Sequence, residues 1–238
     1  MTNTVLVVVA HPDDEVLGCG GAIARHADAG DGVHVAILAE GLTSRGARRV
    51  RGAYQSELNE LQTAAQAAGA ILGAASVECF GLPDNRLDSM DLLDIVKTVE
   101  DLIERHQPSI VYTHHIGDVN VDHQLIHRAV YTAARPTPGH CVERLMAFET
   151  VSSTEWSPPG SASPFLPNWF VDIGTTLERK LAALAAYETE IRAWPHPRSS
   201  RAVEALARWR GASVGASAAE AFMLLRHVER TAQFSSGL

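Results

Sequence analysis

Two short stretches of this chain carry the residue types that do chemistry. The first, "AHPDDEVLGCGG" at residues 10–21, places His11 and Asp14 three positions apart in one turn, with Asp13 between them. Both ends of that spacing can converge on one point. Carboxylates crowded in this way raise one another's pKa unless something positive sits among them. The second stretch, "YTHHIGDVNVDHQ" at residues 112–124, supplies His114, His115, Asp118, Asn120, Asp122 and His123. Two imidazoles and one carboxylate from His11, Asp14 and His123 form a three-ligand set for a divalent cation. Such a set leaves a coordination position for water, as catalytic zinc requires, and zinc brings the pKa of that water towards 7. Asp13, beside a ligand but not needed as one, is then the expected general base. Asp122, next to His123, is expected to orient an imidazole by a hydrogen bond. The same two-histidine, one-carboxylate set also suits non-haem Fe(II). Alone, the first stretch has a lesser alternative reading as a helix N-cap with acids favoured by the helix dipole. His114 and His115 read as hydrogen-bonded framework rather than as ligands.

The elements that must bring these stretches together are legible as alternating patterns. Apolar runs predict strands over 4–10, 33–39, 76–80 and 109–113, with helices over 17–29, 53–68, 92–106 and about 123–134. Gly69 is the expected stop of the second helix. Alternation of this kind implies βαβ units, a parallel sheet and right-handed crossovers. Ligands of such sheets bind beyond the carboxyl ends of the strands, which is where both stretches fall. After residue 135 turn formers dominate. Short strands are expected over 145–150 and 169–173, then a long helix through "TLERKLAALAAYETEIRAW", the loop "PHPRS" and closing helical segments. The reading is one α/β domain over 1–238: a Rossmann-like, mostly parallel sheet flanked by helices over 1–135, and an elaborated, substrate-side part over 136–238.

Composition excludes several classes. A formal net charge of −8 argues against nucleic acid as a partner, since phosphate binding is driven by basic surface. Cys19, Cys79 and Cys141 show no C-x-x-C spacing, which predicts neither a disulfide framework nor a cysteine metal site and fits the reducing cytoplasm. The first apolar run is short, lacks a basic flank and leads directly into charges, so a strand is expected rather than a signal peptide. No run approaches the roughly 20 apolar residues of a membrane span. "GCGGAI" mimics half of a dinucleotide fingerprint, and Glu40 ends the next predicted strand. Ile23 occupies its third glycine position, however, and Asp13, Asp14 and Glu15 would repel a pyrophosphate. The glycines are expected instead to permit close helix–sheet packing.

"AHPDDEVLGCGG" together with "DVNVDH" resembles the LmbE-like superfamily, also called the PIG-L family after the N-acetylglucosaminyl-phosphatidylinositol de-N-acetylase. The resemblance covers the chain to about residue 134. It implies a Rossmann-like fold and zinc-dependent removal of an N-acetyl group from an amino sugar. It also implies His11, Asp14 and His123 as zinc ligands, Asp13 as base, and a homo-oligomer. Many members of that family read His-x-Asp-His in the second motif, where the first histidine helps to stabilise an oxyanion or to protonate the leaving amine. Here that position is Asn120, which can donate a hydrogen bond but no proton. Either Asp13 carries the proton to the amine alone or another histidine enters; His196, in "WPHPRS", is the candidate, unless that segment is simply a helix-connecting loop.

Substrate contacts are expected from "GLPDNRLDS", which follows the third strand: Asp84 and Asn85 facing sugar hydroxyls, unless the segment is simply a Pro-Asp-Asn turn. Arg45, Arg48 and Arg51 are candidates to meet an anionic group on a small, soluble amino-sugar substrate, a solvated loop being an equally good reading of that segment. Metal-dependent hydrolysis of a non-sugar amide and Fe(II) chemistry are the alternatives.

Overall fold

The computed structural model describes residues 2–229. Its elements run β1 (Thr4–Val9), α1 (Asp14–Asp28), β2 (Gly32–Ala39), α2 (Gln55–Leu72), β3 (Ser76–Leu82), α3 (Leu92–His106), β4 (Ile110–His114), α4 (Val121–Ala133), β5 (Arg144–Phe148), β6 (Trp169–Asp172), α5 (Leu177–Ala185), α6 (Ser200–Ala212) and β7 (Ala219–His227). Seven strands form one mostly parallel sheet in the order β3-β2-β1-β4-β5-β7-β6. β1 to β5 pair in parallel, and β7 runs antiparallel between β5 and β6.

Side-chain alternation along β1 divides the core. Val5, Val7 and Val9 face a layer containing residues of α1, α2 and α5, while Leu6, Val8 and Ala10 face α3 and α4. From β1 the chain moves outward through β2 to β3, then returns to place β4 on the other side of β1. The loops leaving β1 and β4 therefore border the crevice where the strand order reverses, the usual ligand position in open α/β sheets.

Three expectations are corrected. Gly69 does not stop α2: it lies inside the helix against Val77, and the helix ends at Gly73, whose φ of 81° suits a glycine. The long helix expected up to Trp194 ends at Ala185, and turns follow. Tyr187 there is fully buried, with its hydroxyl on Glu15, so tertiary contacts pull the chain out of the helical path. The closing segment is not helical after α6. "AEAFMLLRH" is rich in helix formers, yet it pairs along both edges as β7 and buries Ala219, Ala221 and Phe222. Sheet completion overrides local propensity.

The glycine-rich part of α1 is shaped by close approach. A Cβ at Gly18 would lie 2.2 Å from the Phe148 ring, and one at Gly21 2.7 Å from Ile173. The helix breaks locally at Cys19 (φ −148°). The carboxylate of Glu220 on β7 accepts the N–H groups of Gly21 and Ala22 at 2.9 and 2.7 Å. Lys180 of α5 holds that carboxylate at 2.5 Å and donates to Leu17 O at 2.9 Å. The C-terminal part thus repairs the first helix from behind.

Candidate metal centre

His11, Asp13 and Asp14 leave the end of β1, and His123 stands in the first turn of α4, which follows β4. The turn after β1 is held by Asp14 itself, whose Oδ2 accepts the His11 N–H at 2.8 Å. Three atoms converge: His11 Nδ1 to Asp14 Oδ2 is 3.3 Å, His123 Nε2 to Asp14 Oδ2 is 3.2 Å, and His123 Nε2 to His11 Nδ1 is 3.3 Å. Tetrahedral zinc with bonds of about 2.0–2.1 Å separates its ligand atoms by roughly 3.3–3.4 Å. The nearly equilateral triangle fits that geometry, and these donors could hold a metal ion. Asp14 Oδ1 is buried without a hydrogen-bond partner.

Each imidazole turns its other nitrogen to a carboxylate. His11 Nε2 lies 3.1 Å from Asp122 Oδ2, and His123 Nδ1 lies 3.1 Å from Asp118 Oδ2. Asp122 also accepts the N–H groups of Asn85 and Leu87, at 2.7 and 3.0 Å. Asp118 accepts from Asn120 N, Ser153 Oγ and Thr154 Oγ1. Carboxylate-backed imidazoles of this kind fix ring orientation and raise ligand basicity. His114 completes the frame: its ring stacks on His123 at 3.8 Å, and its Nε2 accepts the Ala10 N–H at 2.9 Å.

Burial works against a charged imidazole, but the hydrogen bonds of His11 to Asp122 and Asp14 lift it to about 10. Burial is likewise overcome at His123, where Asp14 and Asp118 raise it to about 9. Burial pushes Asp14 upward, yet the charge of His123 and His114 holds it well below the ordinary carboxylate range. Burial depresses the His114 imidazole, and the charge of His123 adds to that.

Asp13 is 2% exposed and takes a positive φ of 102°. A non-glycine residue in that region stores roughly 1–3 kcal/mol of strain. Its Oδ2 accepts from Arg198 Nη1 at 3.1 Å, and its Oδ1 has no partner. Burial, with Asp14 nearby, raises its pKa well above the usual value against the pull of Arg198.

Several expected contacts take other roles. Asn120 also caps α4: its Oδ1 accepts Asp122 N at 2.9 Å, and its Nδ2 donates to Asn85 Oδ1 at 3.0 Å. His196 packs edge-on to Trp156 and accepts the Arg198 N–H at 3.1 Å; Arg198, two residues on, is what reaches Asp13. Asp84 is 1% exposed, with Oδ1 3.4 Å from His11 Nε2 and Oδ2 accepting Ser44 N at 2.9 Å, so it braces the site. His11, Asp84 and Asp122 also lie close enough together to hold a cation. Their carboxylates receive the backbone amides of Ser44, Asn85 and Leu87, as Asp14 Oδ2 receives that of His11. Asn85, at φ 50°, links Asp84 to Asn120. Arg51 stays on the rim, its Nε 3.3 Å from the buried Glu40. Asp118, part of the second stretch, takes the unassigned role of backing His123, whereas Glu190 and Arg198 carry no signal in the sequence.

The family model described as PIG-L, GlcNAc-PI de-N-acetylase, matches residues 6–134, which include every residue of the triangle. A 4-oxalmesaconate hydratase of Pseudomonas putida is 31% identical over 82% of this chain and 76% of its own length. A 1D-myo-inositol 2-acetamido-2-deoxy-alpha-D-glucopyranoside deacetylase of Gordonia bronchialis is 25% identical over 80% of this chain and 85% of its own. Among solved structures, the conserved protein TT1542 of Thermus thermophilus superposes with a TM-score of 0.73 at 26% identity, covering 98% of this chain and 99% of that one.

Proposed function

This chain belongs to the PIG-L family, and on that premise we propose that it is a zinc-dependent de-N-acetylase that hydrolyses the N-acetyl group of an amino sugar or of its conjugate. One observation carries the reading: the tetrahedrally spaced triangle of His11, Asp14 and His123 with the partnerless Asp13 Oδ1 beside it. A divalent cation bound there supplies Lewis acidity, polarising an amide carbonyl and acidifying a water. Asp13 accepts a proton at Oδ1 from the water whose oxygen bonds to the acetyl carbon and, as the C–N bond breaks, passes it to the departing nitrogen, so one carboxyl serves as base and then as acid. Asp122 and Asp118 keep the two imidazoles in register, and the products are acetate and a free amine.

The experiment is acetate release from a panel of N-acetylated sugars, glycosides and sugar nucleotides by the zinc-loaded protein. Release from at least one member is expected, and loss of that release in Asp13→Asn with zinc still bound. Release from none contradicts the reading. The Pseudomonas putida relative favours a second one, addition of water to an unsaturated acid by the same residues. Consumption of 4-oxalmesaconate without acetate release from the panel would select it.

A further inference from the structure

Asp13 is gripped from a segment far away in the sequence. Its backbone N–H donates to Glu15 Oε2 at 3.2 Å, and Glu15 Oε1 accepts the Tyr187 hydroxyl at 2.5 Å. Its side chain is held by Arg198 through Oδ2 alone. Arg198 is itself fixed. Its Nε donates to Ser152 Oγ at 2.8 Å, and its Nη1 lies 3.7 Å from Glu190 Oε2. Glu190 in turn accepts Arg45 Nη2 on both oxygens at 2.7 Å. The backbone around Arg198 is pinned by the His196 ring and by Ser199, the N-cap of α6. Ser152 stands at φ 64°, and its N–H is tied to Glu155 Oε1 at 2.6 Å. A strained serine delivers its hydroxyl to the guanidinium.

This is not the geometry of a bridge built for stability. An arginine–carboxylate pair of that kind presents two parallel N–H groups to two oxygens. Here the fork is divided: Nε goes to a serine, one nitrogen takes one carboxylate oxygen, and the other oxygen is left buried with no partner. The division fixes the rotation of the carboxylate and leaves Oδ1 available to a reacting water.

We propose that Arg198 is a positioning residue for the reaction: it fixes the Asp13 carboxylate so that Oδ1, and not Oδ2, exchanges the proton. The inference rests on Asp13 being the base, as proposed above. It also assigns a role to residues 152, 190 and 198, all outside the part of the chain matched by the family model.

The test compares zinc-loaded wild type with Arg198→Ala. In crystal structures fine enough to orient carboxylates, the variant should show Asp13 rotated or in two orientations, with His11, Asp14 and His123 unmoved. On a sugar from which wild type releases acetate, kcat should fall roughly a hundred-fold, the scale of a misplaced catalytic group. KM and zinc affinity should hold, while Tm should fall, since Asp13 loses the partner of a buried pair. Added guanidinium ion should restore part of kcat in Arg198→Ala and none in Asp13→Asn, and Arg198→Lys should fall between Ala and wild type. An unmoved Asp13 with wild-type kcat in Arg198→Ala overturns the proposal, as does a loss of zinc affinity as large as the loss of kcat. An active Asp13→Asn instead overturns the assignment of the base itself. An inactive Asp13→Asn beside a fully active Arg198→Ala removes only the role of Arg198.

Discussion

At the scale of single residues, the centre is poised to exchange protons for a cation. Without metal, the carboxylates around His11 and His123 draw both imidazoles above the ordinary histidine value and so towards the protonated form. A metal ligand must be deprotonated, so binding releases those protons. Zinc titrated at pH 7 in buffers of different ionisation enthalpy should therefore show net proton release. Affinity should climb with pH until the imidazoles titrate; a flat profile between pH 6 and 9 would contradict the assignment. Asp118→Asn and Asp122→Asn should each weaken zinc roughly 10- to 100-fold by freeing one ring, as equilibrium competition with a chelator would show. Asp13 gives a prediction of opposite sign for stability and activity. Its folded pKa lies well above 3.8, so the folded state binds the proton more tightly than the unfolded chain. Stability from that proton is present at low pH and is lost as pH rises through the folded value. Metal-free Asp13→Asn should therefore melt higher than wild type at pH 8, with the gain vanishing towards pH 4, while turnover is abolished. Asparagine also tolerates the positive φ better than most residues.

At the scale of elements, the C-terminal strands and helices act as supports for the first helix. Lys180 and Glu220 are 3% and 4% exposed and brace the break in α1 at Cys19. Removing one partner of a buried pair leaves an uncompensated charge, so Lys180→Met should cost about 3–5 kcal/mol in denaturant unfolding. Loss of under 1 kcal/mol would show that the pair is incidental. The same elements mark the limit of what the sequence discloses. β1 to β4 and α3 were readable because apolar periodicity and glycine turns are local signals. β7 was not, since "AEAFMLLRH" has helical composition and becomes a strand only against β5 and β6. His11, Asp14 and His123 could be picked out because their types and spacing state their chemistry. Arg198 could not, because an arginine after "PHP" signals nothing until the turns after α5 carry it back to Asp13.

For the whole molecule, the strand order determines why two stretches more than a hundred residues apart share one site. The chain reverses direction across the sheet at β1 and β4, which opens a crevice bordered by the loops that carry the two motifs. The far end of the chain then wraps back, closing the sheet with β7 and reaching Asp13 with Arg198. Cys19 and Cys79 form no disulfide, and no helix among the described residues is long and apolar enough to cross a membrane. Everything proposed about activity depends on one cation lying among His11, Asp14 and His123. The most direct test is an anomalous-scattering map at the zinc edge from zinc-loaded crystals. The account predicts one strong peak bonded to His11 Nδ1, Asp14 Oδ2 and His123 Nε2 at about 2.0–2.1 Å. A peak among His11, Asp84 and Asp122 instead, or none in the crevice, would contradict it.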